Sequence, residues 1–197
     1  MKIIMKLLII LLSIMLIGIL IIQIFAWKSQ KNIETYSFVV ENEFNNFEIR
    51  NYEAALFTSV KLNTKEYNEA SGKGFSILAG YIFGNNESDQ KISMTSPVSM
   101  SLEDSVTMMF LVPNNLKKEN LPIPNESSIE FKEMPSKRVA AISFGGWANS
   151  DKIKEYKKKL IMALDAEGIS HTNKFFFLGY NAPYELFNRK NDIIVEL

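Results

Sequence analysis

GFSILAGYIFGNNESDQKISMTSPVSM, residues 74–100, is the stretch on which the fold of this chain turns. It begins as an apolar run with helical spacing, stops at Gly84-Asn85-Asn86, and resumes as a strand pattern carrying Met94-Thr95-Ser96-Pro97-Val98. In the helical part Ile77, Leu78 and Tyr81 continue a stripe begun upstream by Tyr67 and Ala70, the residues that hold an amphipathic helix on a core. Gly84 is the residue type that closes such a helix. Asn63 followed by Glu66 reads as a capping box at its start. Phe75, Ala79 and Ile82 fall at i, i+4 and i+7 and form a second apolar strip adjoining the first.

Outward from that stretch, alternation and β-branched residues predict strands over 47–52 and 54–62 before the helix, and near 92–102 and 106–112 after it. Pro113-Asn114-Asn115 ends the last of these, and Pro122 and Pro124 mark a loop. Strand signals return at 128–132 and 138–144. Gly145-Gly146 then precedes a second helix, with Ser150 as cap, Asp151 in the first turn, Ile153, Tyr156, Leu160 and Leu164 as its buried stripe, and Gly168 at its end. Strands over 174–180 and 192–197 close the set. Read coarsely, strand–helix–strand–strand is written twice. Two such units can pair into one curved sheet, so the expected fold is α+β: a twisted antiparallel β-barrel of two pseudo-symmetric β-α-β-β units with two flanking helices.

An N-terminal appendage precedes this domain. Leu7 to Trp27 carries no charge, and only Ser13, Gly18 and Gln23 interrupt its Leu/Ile/Met/Phe run. As a helix at ~1.5 Å per residue it spans ~30 Å, the thickness of a bilayer's hydrocarbon. A cleaved signal peptide is the competing reading, since Lys2 and Lys6 form a basic head. The run exceeds a usual signal core, and Ile24-Phe25-Ala26-Trp27-Lys28 offers no small-x-small cleavage site. The expected organisation is a head over 1–6, a transmembrane anchor over 7–27, a polar linker over 28–42 and a folded domain over 43–197. Lys28 and Lys31 nearly balance Lys2 and Lys6, and the short head favours a cytoplasmic N-terminus with an extracytoplasmic domain.

Composition narrows function. With Lys2 and Lys6 set aside, 20 basic residues face 22 acidic ones, so no basic surface for nucleic acid is expected. Zero cysteines remove disulfides, thiolate metal sites and cysteine nucleophiles. No His-x-x-x-His, Gly-x-Gly-x-x-Gly or phosphate loop occurs, and Glu48, Glu53, Glu130 and Glu133 fall in strand patterns that put most of them on a solvated face. A binding protein is expected, not an enzyme.

Several blocks, in this order and spacing, carry a resemblance: Phe75 to Gly84 running into Lys91-Ile92-Ser93-Met94-Thr95-Ser96-Pro97-Val98; Phe110-Leu-Val-Pro-Asn114; Phe144-Gly-Gly-Trp147; Tyr180-Asn-Ala-Pro183; and Arg189-Lys190-Asn191-Asp192. The chain from about Phe44 to Leu197 resembles the SOUL haem-binding family. The resemblance implies a twisted barrel with internal pseudo-symmetry, and haem or another tetrapyrrole held in a shallow apolar groove beside the first domain helix. The family pattern at the last block is Arg-Arg-Asn-Glu, so Lys190 here lacks a guanidinium fork.

Gly72, Phe75, Ala79 and Ile82 are the expected groove face, with Met94 on the neighbouring strand and Arg189 for a ligand carboxylate; Lys73 and Lys91 are further cations. His171, the only histidine, falls in the turn after the second helix, and a histidine ligand to iron is not expected. The alternative is a module on the same barrel that binds another apolar small molecule or a protein partner.

Overall fold

The computed structural model describes residues 2–30, 33–64, 66–103 and 105–197, the side chains of Lys2 and residues 25–30 aside. The chain forms two compact units: residues 1–33 with 182–187, and residues 34–181 with 188–197. Lys31 and the side chain of Lys28, both used in weighing orientation, lie outside the described residues.

The first unit is built on helix α1, Lys2–Gln30. Its segment Ile3–Ile24 has a mean hydropathy of 3.1 and is long and apolar enough to cross a membrane. Ser13 spends its hydroxyl on the Ile9 carbonyl four residues back, at 2.9 Å. Gln23 is bonded at both ends of its amide: Nε2 donates to the Tyr184 carbonyl at 2.9 Å and Oε1 accepts the Leu186 N–H at 3.0 Å. The segment 182–187 thereby belongs with the helix.

Among the described residues the second unit holds two α-helices and eleven strands: β1 Glu34–Thr35, β2 Phe38–Glu43, β3 Glu48–Tyr52, β4 Ala55–Lys61, α2 Tyr67–Ile82, β5 Thr95–Ser96, β6 Val98–Ser101, β7 Thr107–Leu111, β8 Ile129–Met134, β9 Lys137–Gly145, α3 Ser150–Ala166, β10 Phe175–Gly179 and β11 Lys190–Glu196. β1 and β5 make a short parallel pair, and the other nine form one antiparallel sheet in the order β2-β3-β9-β11-β10-β6-β7-β4-β8. The fold is α+β with a curled half-barrel sheet. It does not close as the expected barrel would: β2 and β8 remain edges.

Two units of strand–helix–strand–strand lie in this order as mirror images. β4-α2-β6-β7 supplies β6-β7-β4, and β9-α3-β10-β11 supplies β10-β11-β9, meeting at the β6–β10 pair. The strand before each unit crosses over: β3 pairs with β9 and β8 pairs with β4.

Alternation splits the core between the two faces of the sheet. Along β9, Ala140, Ile142 and Phe144 join the face covered by Leu78 and Tyr81 of α2 and by Leu160 and Leu164 of α3. Val139 and Ala141 join the opposite face with Tyr52, Phe57, Phe176 and Ile194. Gly74 lets α2 lie close on its bed, since a Cβ there would stand 2.8 Å from Leu62 Cδ1 and 3.1 Å from Met108 Sδ.

The turn after α2 follows from its residues. Gly84 takes φ +114°, which suits glycine alone. Asn86, buried, donates Nδ2 to the Tyr81 and Gln90 carbonyls, and its Oδ1 accepts from Ser88 N and Gln90 N. Gly168, φ +64°, closes the turn that follows α3, as its sequence predicts.

Three expectations differ. Residues 34–42 of the stretch read as a linker contribute β1 and all but the last residue of β2; β2 is largely exposed on both faces, so it has no apolar alternation to betray it. The Asn63–Glu66 box does not form: Thr64 Oγ1 accepts the Glu66 N–H instead. The cap of α3 is Asn149, not Ser150, with its side chain accepting Lys152 N–H at 2.8 Å.

Candidate functional site

Hydrogen-bond register sets one row of residues across the helix-bearing face: Phe110 on β7, Val98 on β6, Gly179 on β10, Asn191 on β11 and Phe144 on β9. Four strand spacings of about 4.8 Å make this row roughly 19 Å long. Gly179 leaves its place to the neighbouring ring; a Cβ there would stand 3.2 Å from Phe177 Cε1. Val98 is half-buried. The row thus has small residues at its middle and aromatic rings at its ends.

α2 and α3 border it with further rings. Phe75 of α2 packs on Phe110, centroids 5.4 Å apart, and Tyr67 stands edge-on to Phe177 at 5.0 Å. Phe144 stacks on Tyr156 of α3 at 4.4 Å. Burial raises the Tyr67 phenol above its ordinary range, and the positive charge of Arg189 partly offsets this.

Two of the sequence blocks meet there. Asn191 Nδ2 donates to the Gly146 carbonyl at 2.9 Å, fixing the loop that carries Trp147. Trp147 is half exposed, and the Arg189 guanidinium lies 3.9 Å above its ring. Lys152 Nζ reaches the Gly145 carbonyl at 2.7 Å from the first turn of α3. Two other blocks are joined by Ser96 Oγ, which donates to the Tyr180 carbonyl at 3.1 Å, while Thr95 Oγ1 donates to the Leu111 carbonyl at 2.7 Å. Lys190, at the position where the family pattern has arginine, is exposed with its ammonium 4.6 Å from the Tyr180 ring centre.

The expected site residues divide. Phe75 is half-buried on the row, Met94 is half-buried against the same core, and Gly72 is exposed with open space around it. Ala79 and Ile82, expected on a strip beside the core stripe, lie within the core, 6% and 3% exposed. The chain after α2 folds back over that side, with Ile92 N–H donating to the Ile82 carbonyl and Tyr81 Oη to the Pro122 carbonyl. His171 is elsewhere: its Nδ1 donates to the Thr172 carbonyl and its ring stands edge-on to Phe175. Among the described residues no group of three or more His, Cys, Asp or Glu is arranged to hold a metal ion.

Sequence reasoning missed a buried polar cluster on the other face. Arg50, 2% exposed, donates Nη1 to Asp192 Oδ2 and Nε to Glu48 Oε2, both at 2.7 Å. Asp192, 0% exposed, also accepts from Tyr180 Oη at 2.8 Å and Ser143 Oγ at 2.6 Å. Burial works against the Arg50 charge, yet Asp192 and Glu48 together hold it protonated more firmly than usual. The signal was present in Asn191-Asp192-Ile193-Ile194-Val195, a carboxylate set in a run whose neighbours are all buried. A depression of about 590 Å³ also opens on this face, over Met109 and Phe176. Its Lys137 and Lys174 are both paired to Glu196 at 3.3 Å.

The domain is a curled antiparallel sheet with two helices on one face and an aromatic-bordered row between them. The profile described as SOUL heme-binding protein matches residues 33–196, and the chain belongs to that family. Heme-binding protein 2 of Mus musculus is 28% identical over 177 residues, covering 85% of this chain and 82% of its own. Heme-binding protein 2 of Homo sapiens is 30% identical over 156 residues, covering 75% and 76%. Heme-binding protein 1 of Xenopus laevis is 26% identical over 155 residues, covering 75% and 81%. Among solved structures the EcmrR C-terminal domain aligns with a TM-score of 0.61 at 12% identity, covering 76% of this chain and 95% of its own. A Listeria innocua hydrolase aligns at 0.51 with 10% identity, covering 79% and 93%. Those two likenesses concern the fold.

Proposed function

We propose that the domain binds haem or a related tetrapyrrole against the helix-bearing face beside α2, and that it is a carrier or sensor of that ligand without a catalytic role. What carries the reading is the half-buried middle of the row, Val98 and Gly179, backed by buried Phe110 and with Arg189 and Trp147 at one end, in a chain of this family. A flat macrocycle needs a wide apolar wall with little protruding, and a few polar groups at its rim. Gly72, Phe75 and Met94 line the wall, Ala79 and Ile82 back it from within the core, and Arg189 faces the propionate carboxylates. Haem bound there supplies a redox-active iron. Apolar contact and one guanidinium hold the macrocycle, and His171 takes no part.

Titration of the detergent-solubilised full chain with hemin and with a metal-free porphyrin tests this. Saturable spectral changes with both are expected, since the wall selects the ring and not the metal. Arg189→Ala should weaken hemin several-fold and leave the porphyrin dimethyl ester unaffected. No saturable change with either ring overturns the reading.

We also propose that α1 is a single-pass anchor, with a cytoplasmic N-terminus and an exported domain. The apolarity of Ile3–Ile24 supports it. The chain should stay with membranes after carbonate washing and move to the soluble fraction when Leu12→Arg and Leu16→Arg are combined. Release of the wild type into the wash supernatant would remove the anchor.

A further inference from the structure

The segment 182–187, Ala-Pro-Tyr-Glu-Leu-Phe, presents an unusual surface for a loop. Tyr184, Leu186 and Phe187 are 51%, 46% and 67% exposed, and Pro183 is exposed beside them. Its one charged residue does the opposite: Glu185 is 7% exposed, with Oε1 accepting the Ala182 N–H at 3.0 Å. A loop serving water would turn the carboxylate out and the rings in. This one has the inverse arrangement, so its exposed side chains are Pro183, Tyr184, Leu186 and Phe187, none of them charged.

Gln23 shows where that surface belongs. It sits one residue before the end of the membrane-length segment Ile3–Ile24, where an unpaired amide would be costly against lipid. Both ends of the amide are taken by the loop, the donor by the Tyr184 carbonyl and the acceptor by the Leu186 N–H. The same two bonds satisfy a polar side chain in an apolar helix and fix three apolar side chains at its level. Tyrosine suits the headgroup zone, and leucine and phenylalanine the acyl boundary beneath it.

We infer that the 182–187 loop is a lipid-contacting element: Tyr184, Leu186 and Phe187 enter the bilayer interface at the exit end of α1, held there by Gln23. The inference rests on α1 being a membrane anchor. It makes the chain a two-point membrane protein, held by a helix that crosses the bilayer and by a loop that enters the leaflet at the exit end of that helix.

The chain has no cysteine, so single cysteines can carry an environment-sensitive fluorophore. Full-length protein is reconstituted in phosphatidylcholine vesicles with either ordinary or brominated acyl chains. Labels at Leu12→Cys and Phe187→Cys are read separately. Loss of emission in brominated lipid at both sites is expected, and Gln23→Leu should restore emission at the Phe187 site alone. Quenching at Leu12 with none at Phe187 overturns the loop contact and leaves the anchor standing. Quenching at neither overturns both. A Phe187 label shielded from water but unquenched places the loop against protein, in a second copy or elsewhere, and also overturns the proposal.

Discussion

Asp192 and Arg50 form an ion pair within the sheet at 2.7 Å. Each is buried and charged, and Asp192 accepts side-chain hydrogen bonds from Arg50, Ser143 and Tyr180. Removing one member of such a pair strands the other in low dielectric. Asp192→Ala is therefore expected to cost about 3–5 kcal/mol, read as a lower urea midpoint. Replacing both, Arg50→Met with Asp192→Leu, should cost less than the single change. The phenols set a second expectation. Tyr81 is pushed up by burial from 10.0 to about 12, and burial raises Tyr36, Tyr52, Tyr67 and Tyr180 as well. Below pH 10 these groups are protonated whether folded or unfolded, and their contribution is intact. Above it the unfolded chain ionises first, so stability falls as pH rises from 10 toward about 12. A melting temperature that held steady across that window would contradict the assignment.

At the scale of elements, α2 offers a contrast between two glycines on different faces of the same turn. Gly72 is exposed, and a methyl group added to it would find nothing within 4 Å, so Gly72→Ala should stabilise by about 0.4–1 kcal/mol through helix propensity and unfolded-state entropy. Gly74→Ala meets Leu62 and Met108 and should destabilise by about 1–3 kcal/mol. Chemical denaturation of the two variants separates them by sign. Asn149→Ala should cost about 1 kcal/mol by uncapping α3.

What was legible follows from the same physics. α3 is buried on a narrow stripe, Ile153, Leu160 and Leu164, as its sequence says, while Tyr156 of the same expected stripe is only half-buried. α2 is buried on both its sheet side and its loop side, so Ala79 and Ile82 had the spacing of a free strip and the surroundings of core. Helical period reports which residues share a face, not whether a distant loop will cover it. β2 was hidden because it is an edge with little to bury. The Arg50–Asp192 pair was hidden because its members are 142 positions apart. The blocks that carry the family resemblance were visible, but their work was not: Asn191 to Gly146, Arg189 over Trp147 and Ser96 to Tyr180 are contacts between blocks.

For the sheet as a whole, protection should follow strand position. β11 sits between β9 and β10 with Ile193, Ile194 and Val195 all at 0–1% exposure, whereas β2 is an exposed edge. Amide hydrogen exchange is expected to be slowest in 193–195 and fast along β2, and uniform exchange would deny that hierarchy. The crossing of β3 onto β9 and of β8 onto β4 has a further consequence. Each half carries as its opening strand the outer stave of the other, so neither half contains all the staves it uses. A backbone break in the loop between β7 and β8 would leave two fragments that are each incomplete yet mutually completing. The molecule is in this sense a clasped pair of half-domains, and the peptide linking them is a tether whose hold the strands already provide.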